Sequence, residues 1–187
     1  MTARPAQQRT MAQQHDLWIF GYGSLMWRPG FDFEEAQPAR LYGFHRSFCV
    51  YSWHHRGTQQ RPGLVLGLDR GGSCLGRAFR VADANADAVV RYLDEREMVT
   101  SVYRPLAHLV HLPDRMVTAR AYVVDRGHAQ YAGKLSVEEQ ARQIEGARGV
   151  SGVNTEYLAS TVAHLDEMGI VDGPLHQVWR LLGCPAS

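Results

Sequence analysis

The sequence predicts a single α+β domain with a mostly antiparallel sheet. Strand-like segments crowd the first two-thirds of the chain, while helical patterns collect in the last third. No regular strand–helix–strand alternation runs along it, which disfavours a parallel nucleotide-binding sheet. A length of 187 residues suits one domain, and neither an internal repeat nor a linker is visible.

The first strand is read over 17–20, where Leu17-Trp18-Ile19-Phe20 runs into Gly21-Tyr22-Gly23-Ser24-Leu25. Further strands are read over 39–51, 63–69 and 74–81. In the second of these, Leu64, Leu66 and Leu68 share one side of a two-residue period. Segment 116–124 alternates through Val117, Ala119, Ala121 and Val123; segment 102–112 carries Pro105, which demands an edge or a bulge. One helix interrupts the strands over 84–98, with Asp83 placed to cap it. The Ser136-Val137-Glu138-Glu139 pattern opens another as a capping box, with Gly149 as its stop. A third spans about 154–168 and stops at Gly169, and a fourth begins near Asp172-Gly173-Pro174.

Hydrophobic residues at 45% and charged residues at 21% are ordinary for a soluble globular protein. Twenty basic against nineteen acidic side chains leave no strong field, so neither nucleic acid nor an anionic membrane is an expected partner. No apolar run approaches the ~20 residues that span a bilayer. Residues 1–16 are polar and read as a disordered tail, and 183–187 as a C-terminal tail. Three cysteines, Cys49, Cys74 and Cys184, without CxxC spacing fit a reducing cytoplasm and exclude a disulfide framework.

Two features carry chemistry. In the helix over 84–98 the apolar stripe is Ala86, Val89, Val90 and Leu93, and Glu97 falls about 20° from Val90 and about 40° from Leu93. Glu97 is therefore aimed inward, while Glu95 points away. A desolvated carboxyl has a raised pKa and serves as a general base or acid. A structural ion pair with Arg96 or Arg104, or a frayed helix end, is the competing reading. The loop Gly21-Tyr22-Gly23-Ser24 lacks the third glycine of a dinucleotide fingerprint and the Lys-Ser/Thr of a phosphate loop. By itself it marks a tight turn whose N–H groups can hold an anion.

The other candidates are weaker. His54 and His55 are neighbours on an extended segment and point apart, so they make poor joint metal ligands, and no metal site is expected. Arg56 or Arg61 can grip a carboxylate, or can be a surface arginine. Ser24 lacks the context of a nucleophile. Cys49 and Cys74 sit in strand patterns as small core residues. Asn154 reads as a helix cap and Tyr157 as a core aromatic, with a ligand role as the alternative for each.

Taken in order, FGYGSLMWRP, YSWHHRGTQQRPGLVL, GGSCLGRAFRV, YLDEREM, YAGKLSVEEQARQIEGARGVSGVNTEYL and IVDGPLHQVW resemble the glutathione-specific branch of the ChaC-type γ-glutamylcyclotransferases over residues 17–182. The resemblance implies a γ-glutamylcyclotransferase-like fold, a barrel-like sheet with peripheral helices. It also implies cleavage of reduced glutathione to 5-oxoproline and Cys-Gly, with no cofactor and no metal, by a cytoplasmic monomer or weak homodimer. Glu97, in the Arg96-Glu97 pair, is then the proton-transferring residue. Ile19, Phe20, Gly21, Tyr22, Gly23, Ser24 and Leu25, with Arg56, Tyr103 and Tyr157, are the implied substrate-binding set. Other γ-glutamyl amino acids or amines are the alternative substrates, and a non-catalytic binding module is the alternative class. Two departures stand out. Leu75-Gly76 stands where family members often have a tryptophan before the glycine, and Ser101-Val102-Tyr103 where some relatives have a Gly-Gly-Tyr beside the site, a change that bears on substrate range.

Overall fold

The computed structural model describes residues 16–183. The tails expected over 1–16 and 183–187 fall almost entirely outside these residues, as does Cys184.

Five strands close a barrel in the order β1-β3-β2-β4-β5. They are β1 (Leu17–Gly21), β2 (Glu35–Ser52), β3 (Gly63–Val81), β4 (Tyr103–His111) and β5 (Met116–Val124). Neighbours are antiparallel except at the closure, where β1 and β5 run parallel through Trp18↔Ala119 and Ile19↔Arg120. The two strands expected over 63–69 and 74–81 are one continuous strand of 19 residues. Gly71 and Gly72, which read as a break, adopt φ of +103° and +67° and bend the strand while its pairing with β2 carries on past them. Pro105 faces Tyr122 of β5, and β2 touches β4 only through Arg40 and Leu41, so the proline lies on an open edge as its missing N–H requires.

β1 is buried on both faces, which explains its unbroken apolar run. Trp18 and Phe20 join the main core with Leu41, Phe48, Leu64 and Ala119, while Ile19 packs against the helix α1 (Ala86–Glu97) through Leu93. Gly76 is a packing requirement here, because a methyl on it would stand 2.3 Å from the Gly21 carbonyl oxygen. At this one point β1 and β3 approach too closely for any side chain.

Helix boundaries depart from expectation in two places. A 3-10 turn (Asp83–Asn85) precedes α1, and no side chain caps it, so Asp83 is not the expected cap. The helix α2 (Val137–Ile144) opens on the Ser136/Glu139 capping box but ends before Gly146, whose φ is +67°. Gly149 does not stop it. It belongs instead to a small hairpin of β6 (Arg148–Gly149) and β7 (Gly152–Val153). α3 (Asn154–Glu167) stops at Gly169, and α4 (Gly173–Leu181) is capped by Asp172 with Pro174 in its first turn, both as the spacing predicts. Together α2, α3 and α4 cover the main core with Ile144, Leu158, Leu165, Leu175 and Val178.

Candidate active site

β1 delivers its glycine loop to one end of the barrel. A short 3-10 turn (Ser24–Met26) folds the chain back at once, closed by Met26 N–H donating to the Gly23 carbonyl at 2.9 Å. Gly21 makes this turn fit, since a methyl there would sit 3.1 Å from the Leu25 Cβ. Arg46 then fixes the loop from behind. It is buried, and its guanidinium donates to the Tyr22 and Leu75 carbonyls and pairs with Asp172 at 3.1 Å. A buried cation needs this many partners. The same Asp172 caps α4, so one ion pair ties loop, β3 and α4 together.

Glu97 is the last residue of α1 and Tyr103 the first of β4, so both face the loop from the opposite side. A narrow cavity of about 70 Å³ lies between them, bounded by Tyr22, Gly23, Ser24 and Leu25 on one side and Glu97, Tyr103, Leu66, Tyr122 and Tyr157 on the other. Burial raises the Glu97 pKa above the ordinary carboxylate value, and the Arg96 guanidinium opposes it at 3.3 Å. Arg96 also donates to the Ser24 hydroxyl and to the Arg28 and Pro29 carbonyls. Burial, reinforced by Glu97 and neighbouring phenols, pushes Tyr22 and Tyr103 far up, and burial brings Tyr157 to about 12. The tyrosines therefore meet a ligand as neutral hydrogen-bonding groups. Tyr103 donates to the Leu66 carbonyl at 2.6 Å.

The structure thus gathers Glu97, Tyr22, Gly23, Ser24, Leu25, Tyr103 and Tyr157 around one cavity. It does not bring four others there. Ile19 and Phe20 are fully buried in the core, and Gly21 makes room for Leu25. Arg56 donates to the Val153 carbonyl at 3.2 Å and lies over the Tyr157 ring at 5.4 Å, bracing that ring from the side. Asn154 is not a helix cap; Val153 holds that position. The buried Asn154 amide instead accepts from Leu64 N–H at 2.6 Å and donates to the Leu64 carbonyl at 2.8 Å.

Leu66 and Tyr122 line the cavity without having been expected. Leu66 was visible only as one of an alternating set. Tyr122 lies on the face of 116–124 opposite the alternating set Val117, Ala119, Ala121 and Val123. Its hydroxyl donates to Asp94 at 2.6 Å, and Arg120 donates to both. Burial raises the Asp94 pKa, and the hydrogen bonds from Tyr122 and Arg120 more than reverse this. The trio anchors α1 to β5 one turn before Glu97. Among the described residues no group of three or more His, Cys, Asp and Glu side chains is placed to hold a metal ion, and no helix is long and apolar enough to cross a membrane.

A closed five-stranded barrel with helices packed around it is a fold with solved members. The crystal structure of a yeast γ-glutamyl cyclotransferase specific to glutathione matches at a TM-score of 0.82 and 23% identity, over 90% of this chain and 96% of that one. Residues 17–182 match the family model described as ChaC-like protein, and the chain belongs to the ChaC-like family. A glutathione-specific γ-glutamylcyclotransferase of Escherichia coli K12 is 36% identical over 163 residues, covering 87% of this chain and 71% of that protein. The Mus musculus glutathione-specific γ-glutamylcyclotransferase 1 is 37% identical over 147 residues, covering 76% and 66%.

Proposed function

We propose that this protein is a γ-glutamylcyclotransferase that splits reduced glutathione into 5-oxoproline and cysteinylglycine. The names of its relatives support the substrate, and one observation carries the chemistry. Glu97 is a largely buried carboxylate with a raised pKa, standing on the wall shared by the small cavity and a larger adjoining cleft. A group on that wall can serve an amine on one side and a leaving nitrogen on the other.

The reaction needs that arrangement. The free α-amine of the γ-glutamyl group attacks its own γ-carbonyl and closes a five-membered ring, and the bond to the cysteinyl nitrogen breaks. Holding the chain in its ring-forming rotamer exploits proximity that the substrate already has. We assign Glu97 to take a proton from the α-amine as it attacks and return it to the departing amine. The proton balance closes without water, an oxidant or a reductant. General acid–base assistance of this kind is worth roughly 100- to 10,000-fold. Tyr22, Tyr103 and Tyr157 are assigned to orient the head group, and the N–H groups around Gly23 to hold its α-carboxylate or the oxyanion.

Cys49 and Cys74 take no part in this reading. Both are buried and unpaired, and burial pushes their thiols up to about 12 and about 11. Unpaired thiols suit a reducing compartment, and we place the protein in the cytoplasm.

Purified protein incubated with reduced glutathione tests the proposal, with 5-oxoproline and cysteinylglycine followed by chromatography and oxidised glutathione and γ-glutamyl-alanine alongside. Glu97→Gln should lose nearly all turnover while remaining folded. A variant that kept a third of the wild-type rate would refute the role of Glu97. Binding of glutathione without any ring product would make the protein a binding module.

A further inference from the structure

The cavity of about 70 Å³ is too small for a tripeptide. The rest of the substrate must leave through a neighbouring space. A cleft of about 390 Å³ shares Glu97 and Tyr103 with that cavity and is also lined by His54 and His55. We infer that this cleft seats the departing dipeptide and that the two imidazoles hold its terminal carboxylate. The inference rests on the cyclotransferase reading and names a specificity element within it.

Three observations carry it. The first is room, because the cleft offers more than five times the volume of the cavity, enough for the two residues beyond the scissile nitrogen. The second is charge, because Glu97 is the only carboxylate lining the cleft, while Arg96, His54 and His55 all do. A carboxylate entering there meets donors and little repulsion. The valines of the lining, Val50, Val65, Val99 and Val102, are left for the cysteinyl side chain.

The third is rigidity. The segment that bears the imidazoles is held by main-chain bonds that do not depend on them. Val150 N–H donates to the His54 carbonyl and Ser151 N–H to the His55 carbonyl, each at 2.9 Å. Gly149 packs so tightly beneath that a methyl on it would lie 2.2 Å from the His54 carbonyl oxygen. The bend at these residues sets the two rings edge to face with centroids 5.1 Å apart, not on opposite sides as an extended segment predicts. His55 Nδ1 lies 3.0 Å from the Ser151 hydroxyl, which orients that ring. Both side chains are exposed, so they can be removed without opening the core.

The test crosses two substrates with two proteins: glutathione and its glycine-carboxamide analogue, against wild type and the double variant His54→Ala/His55→Ala. Charged hydrogen bonds of this kind are worth about tenfold or more in affinity. In wild type the carboxamide should show a KM at least about tenfold above that of glutathione. In the double variant the two substrates should share one raised KM, with kcat changed far less. A wild-type protein indifferent to the carboxamide overturns the inference, and so does a double variant that keeps the full preference for the acid. A wild-type protein that forms no 5-oxoproline from glutathione overturns the cyclotransferase reading together with it.

Discussion

Arg96 Nη2 donates to the Ser24 hydroxyl at 3.0 Å while Nε of the same guanidinium faces Glu97 Oε1 at 3.3 Å. One side chain therefore couples the glycine loop to the carboxylate across the cavity. It also sets the charge beside Glu97, and it is the group that lowers a pKa otherwise raised by burial.

Removing that cation should raise the Glu97 pKa further. A general base must be deprotonated to act, so the acid limb of kcat/KM should move to higher pH in Arg96→Gln. Arg96→Lys keeps the charge but has no fork to reach Ser24, so it should return the limb towards its original position while KM stays raised. The pH profiles of both variants check this. An unmoved limb in Arg96→Gln would show that the pair is not coupled.

Glu97 should also cost stability. A carboxyl whose folded pKa exceeds its unfolded value binds protons more tightly in the native state, so the fold is most stable below the unfolded value and loses stability as pH rises through the folded one. Glu97→Gln abolishes that loss. It should melt above wild type at neutral pH, with the gap closing below about pH 4. Thermal melts across pH test this, and equal melting temperatures at pH 7 would mean the burial is fully compensated.

Ser101 has φ of +58°, the one non-glycine residue with positive φ among the described residues. Left-handed backbone costs a side-chain-bearing residue about 1–2 kcal/mol, part of which glycine's unfolded-state entropy takes back. Ser101→Gly should stabilise by about 0.5–1 kcal/mol, read as a higher urea midpoint at unchanged slope. A lower midpoint would refute the strain.

Asn154→Ala should be costly for a residue at a helix start. It leaves both the N–H and the carbonyl of Leu64 without their partner, at about 1–3 kcal/mol for each buried group. A loss of about 2–4 kcal/mol in denaturant unfolding is expected, along with weaker substrate binding, because Leu66 lines the cavity two residues further on. A loss below about 1 kcal/mol, the value of an ordinary cap, would restore the capping reading.

Glu97 and the β5 strand were legible because their signals are local. Helical angle fixes where a side chain points relative to its own helix, and alternation fixes the two faces of a strand. The same logic located the Ser136 capping box and the stop at Gly169. It failed at Gly71-Gly72, where a glycine pair that ends an isolated strand only bends one paired along its length. It failed again at Asn154, whose partners lie 90 residues away.

The sequence by itself determined the α+β class, most elements and the inward carboxylate, since each follows from the preferences of a few neighbouring residues. Tertiary structure alone decided that β1 closes the barrel against β5, that Arg46 pins the Tyr22 loop, and that Tyr22, Tyr103, Tyr122 and Tyr157 converge on Glu97 from separate elements. Local propensity says which way a side chain leaves its own backbone. What it meets there depends on pairings between distant segments, and those are settled only when the whole core closes.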